Sequence, residues 1–179
     1  MLNKNIFILG STGQVGKELC VNLKKNNSLN LYCHARNFVS AQFFIKKKID
    51  VIIGDLNENN VIDQISKADL IFDLAAPSSG SLTEIKKFYE IRLKIILNNM
   101  KRNSIFVLAS TMNAFGLSDN RKKLKNYFLP SSIYSANKRY AENYCKSLGT
   151  KNSVKTFVIR LSEIHGSTQR ATENLKKLI

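Results

Sequence analysis

Three evenly spaced glycines follow the first apolar segment of the chain. The run Ile6–Leu9 has the length of a buried strand, and Gly10, Gly13 and Gly16 stand between it and an amphipathic stretch. Glycines at such a strand-to-helix turn let the backbone approach a pyrophosphate closely, while free N–H groups at the helix start attract the anion. The spacing therefore predicts a dinucleotide-binding loop. Its expected contact residues are Gly10, Thr12, Gly13, Gln14, Val15 and Gly16.

Short apolar runs alternate with longer amphipathic stretches along the whole chain. This alternation predicts a parallel sheet with right-handed crossovers and helices on both faces. The expected fold class is α/β, a Rossmann-like doubly wound sheet of about six strands, with residues 1–179 as one domain. The predicted strands are Ile6–Leu9, Leu29–His34, Asp50–Ile53, Leu70–Ala75, Ser104–Ala109 and Lys155–Arg160. The predicted helices are Gln14–Asn26, Phe38–Lys48, Glu58–Lys67, Leu82–Arg102, Tyr134–Leu148 and Thr172–Ile179.

The chain is strongly basic, with 28 Lys and Arg against 13 Asp and Glu and a formal charge of +15. A hydrophobic fraction of 44% with only two Pro excludes a disordered or collagen-like chain. A cationic surface could attract nucleic acid, and the basic cluster Arg121–Lys125 is the best local candidate for such a contact. Because Lys, Asn and Ile are abundant together, we interpret the charge as compositional and the cluster as a solvated loop. A nucleic-acid partner is the third-ranked hypothesis.

Cysteine and histidine spacing gives no support for a structural cross-link or a metal site. Cys20, Cys33 and Cys145 are an odd set without C-x-x-C spacing, and His34 and His165 stand far apart. The apolar run that follows Met1 is too short for a signal peptide or a membrane span. We therefore expect a soluble cytoplasmic protein with no metal and no membrane partner.

Several further segments match, in order, the motifs of a known family. They are Gly54-Asp55-Leu56, Leu74-Ala75-Ala76, Ala109-Ser110-Thr111 with Phe115-Gly116, Tyr134-Ser-Ala-Asn-Lys138, and Ile159-Arg160 with Ile164-His165-Gly166. Together with the G-x-x-G-x-x-G loop, they resemble the extended short-chain dehydrogenase/reductase superfamily, that is, the NAD-dependent epimerase/dehydratase family. The resemblance covers almost the whole chain. It implies that Asp55 and Leu56 contact the adenine side of a dinucleotide, and that Ala75 and Ala76 lie on the nicotinamide side.

The end of the second predicted strand bears on the choice of cofactor. A site that prefers NAD usually places a carboxylate there for the ribose hydroxyls, whereas this chain has Arg36 and no carboxylate nearby. A guanidinium suits a 2′-phosphate. The residues therefore favour NADP(H) over NAD(H), with a solvated Arg36 and bound NAD(H) as the alternative.

Tyr134 and Lys138 stand four residues apart on a predicted helix and therefore share one face. A neighbouring ammonium and an oxidised nicotinamide would favour the phenolate of Tyr134. The resemblance implies that Tyr134 exchanges a proton with a sugar hydroxyl or ketone and that Lys138 also holds the nicotinamide ribose. It gives Thr111 a hydrogen bond to the reacting oxygen. The catalytic candidates are thus Thr111, Tyr134 and Lys138.

The same resemblance predicts a small-molecule nucleotide-sugar substrate and a 4-epimerase or 4-ketoreductase activity. A dehydratase is disfavoured, because Met112 and Asn113 stand where family dehydratases have an Asp-Glu pair that eliminates water. Asp73, Glu163 and His165 depart from common family residues and leave the substrate open. A non-catalytic dinucleotide-binding module is the alternative.

Extended family members continue into a smaller C-terminal lobe that forms most of the sugar-nucleotide pocket. The sequence stops at Ile179, after the first turns of a predicted helix. We therefore expect a chain without the substrate lobe, which binds the dinucleotide but shows little turnover with nucleotide sugars. A homodimer is a candidate assembly.

Overall fold

Six parallel strands form one sheet in the part of the chain that the structure describes. The computed structural model describes residues 4–77, 79–115, 132–162 and 164. The strands are β1 (Lys4–Leu9), β2 (Leu29–Ala35), β3 (Asp50–Ile53), β4 (Leu70–Asp73), β5 (Ile105–Thr111) and β6 (Lys155–Leu161). The helices are α1 (Gln14–Leu23), α2 (Phe38–Lys46), α3 (Asn59–Lys67), α4 (Leu82–Asn99) and α5 (Ile133–Asn152), with a short 3₁₀ turn at Met112–Phe115.

The strand order is β3-β2-β1-β4-β5-β6, and each pairing between neighbouring strands is parallel. This is the doubly wound α/β sheet that the alternation of elements predicts, so the expected fold class is confirmed. The order reverses between β1 and β4, which pair in a register that joins Leu9 to Asp73. In a doubly wound sheet, connections leave such a point in opposite directions and open a crevice at the carboxyl ends of the strands.

The centre of the sheet is covered on both faces, as the side chains of β1 show, whereas Phe157, Val158 and Ile159 of the edge strand β6 are exposed. Phe7 and Leu9 point into a core with residues of α3, α4 and α5, whereas Ile6 and Ile8 point into a second core that Cys20 and Phe44 help to form. Side chains alternate between the two faces of a strand, so a strand buried on both sides is apolar throughout. The uninterrupted apolar run of β1 follows from this double burial.

Several element boundaries differ from those predicted. Strand β4 ends at Asp73 rather than Ala75, because the amide of Ala75 donates to the Asp73 carboxylate at 3.2 Å instead of continuing the ladder. Strand β5 continues to Thr111, which pairs with Leu161. The sequence also predicts a polar, basic loop at about residues 117–132, of which the structure describes only Ser132. The last predicted helix (172–179) lies outside the described residues.

No helix within the described ranges is both long enough and apolar enough to cross a membrane.

Candidate functional site

A cavity of about 630 Å³ lies at the carboxyl ends of the strands, where the loops after β1, β2, β3 and β4 converge. Eight of the residues that the sequence predicts to contact a dinucleotide line this cavity. They are Gly10, Thr12, Gly13, Arg36, Asp55, Leu56, Ala75 and Ala76. The cavity lies at the point where the strand order reverses, the position at which doubly wound sheets bind their ligands.

Two of the three loop glycines are required by packing within the protein. Gly10 has a φ of +72°, and a Cβ there would lie 2.5 Å from the amide nitrogen of Ala75. A Cβ on Gly16 would overlap the carbonyl oxygen of Gly10 and lie 2.6 Å from the Cα of Ser11. These glycines therefore allow the loop to pack against the end of β4 and the first turn of α1.

Gly13 has a different role. Its backbone is extended (φ −72°, ψ 170°), a conformation open to any residue, and its nearest neighbour for an added Cβ is the Gly10 carbonyl oxygen at 3.4 Å. Gly13 is exposed and lines the cavity. Packing does not demand a glycine here, whereas the close approach of a ligand to the backbone would. The loop therefore fits a pyrophosphate.

The start of α1 strengthens this fit. Gly13 is the N-cap and has no side chain to accept a hydrogen bond from the first turn, which Gln14, Val15 and Gly16 form. Uncapped amides and the positive end of the helix dipole favour a bound anion. Gln14, Val15 and Gly16 lie in this turn rather than in the cavity lining.

At the end of β2, His34 and Arg36 both line the cavity. His34 is buried and its Nε2 lies 2.9 Å from the Gly54 carbonyl oxygen, to which it donates, while its own carbonyl accepts from the Ser11 hydroxyl at 2.5 Å. Burial lowers the pKa of His34, so the ring is neutral. His34 thus ties the glycine loop to β2 and β3, a role that the spacing of histidines did not reveal. Arg36 is exposed and presents its charge at the cavity rim.

One residue of a buried ion pair, Arg92, lines the cavity. Asp73 is fully buried at the end of β4, and Arg92 of α4 donates to it through Nε and Nη2 at 2.8 to 3.0 Å. In the sequence, Asp73 stands out only as a departure from common family residues, and no motif indicates that Arg92 is its partner. The available signal was that a buried carboxylate needs a cationic partner.

The three catalytic candidates lie on β5 and α5. Thr111 is the last residue of β5, and its Oγ1 accepts from the Asn113 amide at 3.3 Å. Tyr134 lies in the first turn of α5, whose N-cap Ser132 accepts from the Ser135 amide. The Nζ of Lys138 lies 5.9 Å from the centre of the Tyr134 ring. The helix thus places Tyr134 and Lys138 on one face, as their spacing predicts. None of the three catalytic candidates is among the residues that line the cavity.

Lys138 is buried and donates to the Ala109 carbonyl oxygen at 2.7 Å. Burial lowers the pKa of Lys138 from 10.5 to about 8. The pKa of Tyr134 is raised, also by burial. This differs from the expected effect of a neighbouring ammonium, because desolvation of the phenolate dominates in the protein alone.

Lys138→Met is expected to stabilise the protein at pH 7 by about 2 kcal/mol. Burying the ammonium costs about 3 kcal/mol for a pKa that falls from 10.5 to about 8, and the lost bond to Ala109 offsets about 1 kcal/mol. The free energy of unfolding of the wild type rises by about 3 kcal/mol as the pH increases from about 8 to 10.5, because the folded state holds fewer protons than the unfolded state over that range. Urea unfolding at pH 7 and pH 10.5 measures the effect. The exposed Lys146→Met is the control, and a destabilised Lys138→Met at pH 7 would contradict the prediction.

A second buried network adjoins the catalytic candidates. Glu142 of α5 accepts from the Ser110 hydroxyl at 2.5 Å and from Arg160 of β6 through Nε (3.0 Å) and Nη2 (2.6 Å). The motifs in the sequence do not indicate the role of Glu142. Its position four residues after Lys138, on the same helix face, was the available signal.

Some residues that the sequence singles out are not described by the structure. Glu163, His165, Gly116 and the basic cluster Arg121–Lys125 lie outside the described residues. Across the described ranges, no three His, Cys, Asp or Glu side chains come together as potential metal ligands.

Comparisons with solved structures identify the same architecture in nucleotide-sugar enzymes. A UDP-glucuronic acid 4-epimerase from Bacillus cereus, solved with NAD, superposes with a TM-score of 0.72 at 16% identity, covering 90% of this chain and 57% of that one. A UDP-N-acetylglucosamine 4-epimerase from the same species gives a TM-score of 0.73 at 18% identity, covering 96% and 65%. At these identities the likeness shows the fold.

A curated relative and a family model complete the comparison. The regulatory protein RecX of Lactococcus lactis subsp. lactis (strain IL1403) is 23% identical over 150 residues, which are 76% of this chain and 55% of that protein. The chain thus spans 55 to 65% of the length of these three relatives. The model of the NAD dependent epimerase/dehydratase family matches residues 6–179. With the reversed strand order and the glycine loop, this match shows that the chain belongs to the NAD dependent epimerase/dehydratase family.

Proposed function

We propose that the chain binds a nicotinamide dinucleotide and provides the acid/base residues of an enzyme acting at C4 of a nucleotide-linked sugar. The activity is that of a 4-epimerase or a 4-ketoreductase. The observation that carries the proposal is the cavity at the strand reversal, where Gly13 is free of packing constraints and lies against an uncapped helix start. Two of the structural neighbours are 4-epimerases of UDP-sugars, and they support a nucleotide sugar as the substrate class.

The residues of the cavity fit the parts of the dinucleotide in order along the sheet. Gly13 and the first turn of α1 would hold the pyrophosphate, with Gly10, Thr12, Gln14, Val15 and Gly16 forming its loop. Arg36, Asp55 and Leu56 would hold the adenosine, and Ala75 and Ala76 the nicotinamide side. When bound, the nicotinamide accepts a hydride from the sugar or returns one to it.

The protein residues handle the proton and the reacting oxygen. Tyr134, half-exposed at the start of α5, would accept the proton of a sugar hydroxyl or donate one to a ketone. Lys138, which donates to the Ala109 carbonyl, would hold the ribose through a second N–H group and place positive charge near the phenol. Thr111 at the end of β5 would orient the reacting oxygen by a hydrogen bond.

Arg36 favours NADP(H) over NAD(H) in this proposal. It is exposed at the cavity rim, where a guanidinium can pair with a 2′-phosphate. Arg36→Ala is therefore expected to weaken NADPH binding about tenfold or more and to leave NADH binding nearly unchanged, because one charge-assisted contact is lost. Fluorescence titration with both cofactors measures this. Lys47→Ala, an exposed cation of the neighbouring helix end, is the control, and unchanged NADPH affinity in Arg36→Ala would refute the assignment.

The proposed function is tested in two steps on the full chain. Titration with NADPH and NADH should quench or shift their fluorescence with saturable binding, and failure to bind either at millimolar concentration would refute the proposal. Incubation of the oxidised complex with UDP-, GDP- and dTDP-hexoses is then followed by absorbance of the reduced cofactor and by NMR of the sugar. Binding of the dinucleotide without hydride transfer from any of these sugars to the oxidised cofactor would favour a non-catalytic dinucleotide-binding module. A cytoplasmic location and a homodimer stay predictions.

A further inference from the structure

Two buried carboxylates, Asp73 and Glu142, act on Lys138 electrostatically, and neither of them is bonded to it. Asp73 has no exposed surface and Glu142 is 6% exposed. Asp73 is engaged by Arg92, and Glu142 by Arg160 and the Ser110 hydroxyl. Within the described part of the chain, the bond that Lys138 makes is to the Ala109 carbonyl oxygen. The ammonium is therefore buried beside two anions that are held by other cations.

Contacts with β5 and α4 fix this arrangement. Ala109 and Ser110 are adjacent on β5, and they bind residues one turn apart on α5, namely Lys138 and Glu142. The Nζ of Lys138 also lies 5.3 Å from the centre of the Tyr89 ring on α4. Arg92, three residues after Tyr89, makes three contacts of 2.8 to 3.0 Å with the Asp73 carboxylate, which also accepts from the Ala75 amide. With their oxygens already engaged, the carboxylates act on Lys138 through the electrostatic field rather than through a bond.

The charged and titratable side chains around Lys138 come from four elements. Tyr134 and Glu142 lie on its own helix, Tyr89 and Arg92 on α4, and Asp73 on β4, while β6 contributes Arg160 through Glu142. Burial lowers the pKa of Lys138 most strongly and Arg92 lowers it further, whereas Asp73 and Glu142 raise it. Without the two carboxylates, the ammonium would lose its charge at a lower pH.

We propose that Asp73 and Glu142 are positioning residues that set the protonation of Lys138, and through it the pH range in which Tyr134 exchanges its proton. Arg92 and Arg160 pair with the two carboxylates, so that neither carboxylate bonds to the ammonium of Lys138. The catalytic part of this inference rests on the proposed function, whereas the control of Lys138 does not. Removing a carboxylate and removing its arginine should move the titration of Lys138 in opposite directions, because Asp73 without Arg92 can pair with the ammonium.

The test is NMR titration of the full chain labelled with ¹³C-lysine, with the Lys138 signal assigned by Lys138→Arg. Glu142→Gln and Asp73→Asn preserve side-chain volume, and each is expected to lower the pH midpoint of Lys138 by about 0.5 to 1. Arg92→Gln is expected to raise it by a similar amount. Asp63→Asn, which removes a carboxylate from an exposed pair on α3, should leave the midpoint unchanged.

The signs of these shifts decide the outcome. Unchanged midpoints in Glu142→Gln and Asp73→Asn would overturn the proposal, as would shifts in one direction for both Asp73→Asn and Arg92→Gln, which indicate structural damage alone. Where hydride transfer is measured, the limb of its pH profile should move with the Lys138 midpoint in Glu142→Gln. The titration needs neither cofactor nor substrate, so failure of the protein to bind a dinucleotide would refute the proposed function and leave this result standing.

Discussion

Replacing Gly16 by alanine is expected to lower the free energy of unfolding by about 3 kcal/mol or more. Alanine is the better helix former by about 1 kcal/mol, so propensity alone predicts the opposite sign. The added Cβ would overlap the Gly10 carbonyl oxygen and lie 2.6 and 2.7 Å from two backbone atoms of Ser11. Backbone cannot rotate away as a side chain can, so overpacking outweighs helix propensity. Urea unfolding monitored by circular dichroism measures the change.

Gly13→Ala is the matched control, since it adds the same methyl group three residues earlier. Its added Cβ meets the Gly10 carbonyl oxygen at 3.4 Å in an extended backbone, so unfolding should change by no more than about 0.5 kcal/mol. Dinucleotide affinity should instead fall at least about tenfold, because the methyl group would stand where a pyrophosphate approaches. A Gly16→Ala protein as stable as wild type would contradict the packing role of this glycine. A Gly13→Ala protein that binds as tightly as wild type would argue against a pyrophosphate at this loop.

The fold and the cavity could be predicted from sequence because their signals are local. Period-two burial in β1, the glycines that follow it and the alternation of strand and helix each lie within a short stretch of chain. Parallel strands then bring their carboxyl ends to one edge, which is why Arg36, Asp55 and Ala75 meet at one cavity although they are distant in sequence. No side-chain detail is needed for that step.

The ion pairs around Lys138 could not be predicted, since their partners are set by packing rather than by spacing. Arg92 stands 19 residues from Asp73, and Arg160 stands 18 from Glu142, in each case on a different element. A helix face and a strand end must be docked before either pair can be recognised. The early end of β4 has a similar origin, because the Asp73 carboxylate accepts from the Ala75 amide and turns the chain.

Tyr134→Phe is expected to slow hydride transfer to the bound oxidised dinucleotide about a thousandfold, a barrier increase of about 4 kcal/mol. The phenolate of Tyr134 is the proposed proton acceptor, and burial raises the pKa of Tyr134, which disfavours the phenolate at neutral pH. The rate should therefore rise with pH in the wild type and lose this dependence in the variant. Single-turnover absorbance of the reduced cofactor, followed over hours with saturating nucleotide sugar, measures both effects.

Dinucleotide affinity and stability separate a lost proton acceptor from a damaged site. The Tyr134 ring is 41% exposed, so removing its oxygen should change unfolding by no more than about 0.5 kcal/mol and cofactor affinity by no more than about twofold. Tyr140→Phe is the matched control. Tyr140 lies on the same helix as Tyr134, and its hydroxyl donates to Glu90 of α4 at 2.5 Å. Its loss should leave the rate of hydride transfer unchanged. If Tyr134→Phe kept more than a tenth of the wild-type rate, another group would have to accept the proton, and Tyr134 would be a binding residue of the site.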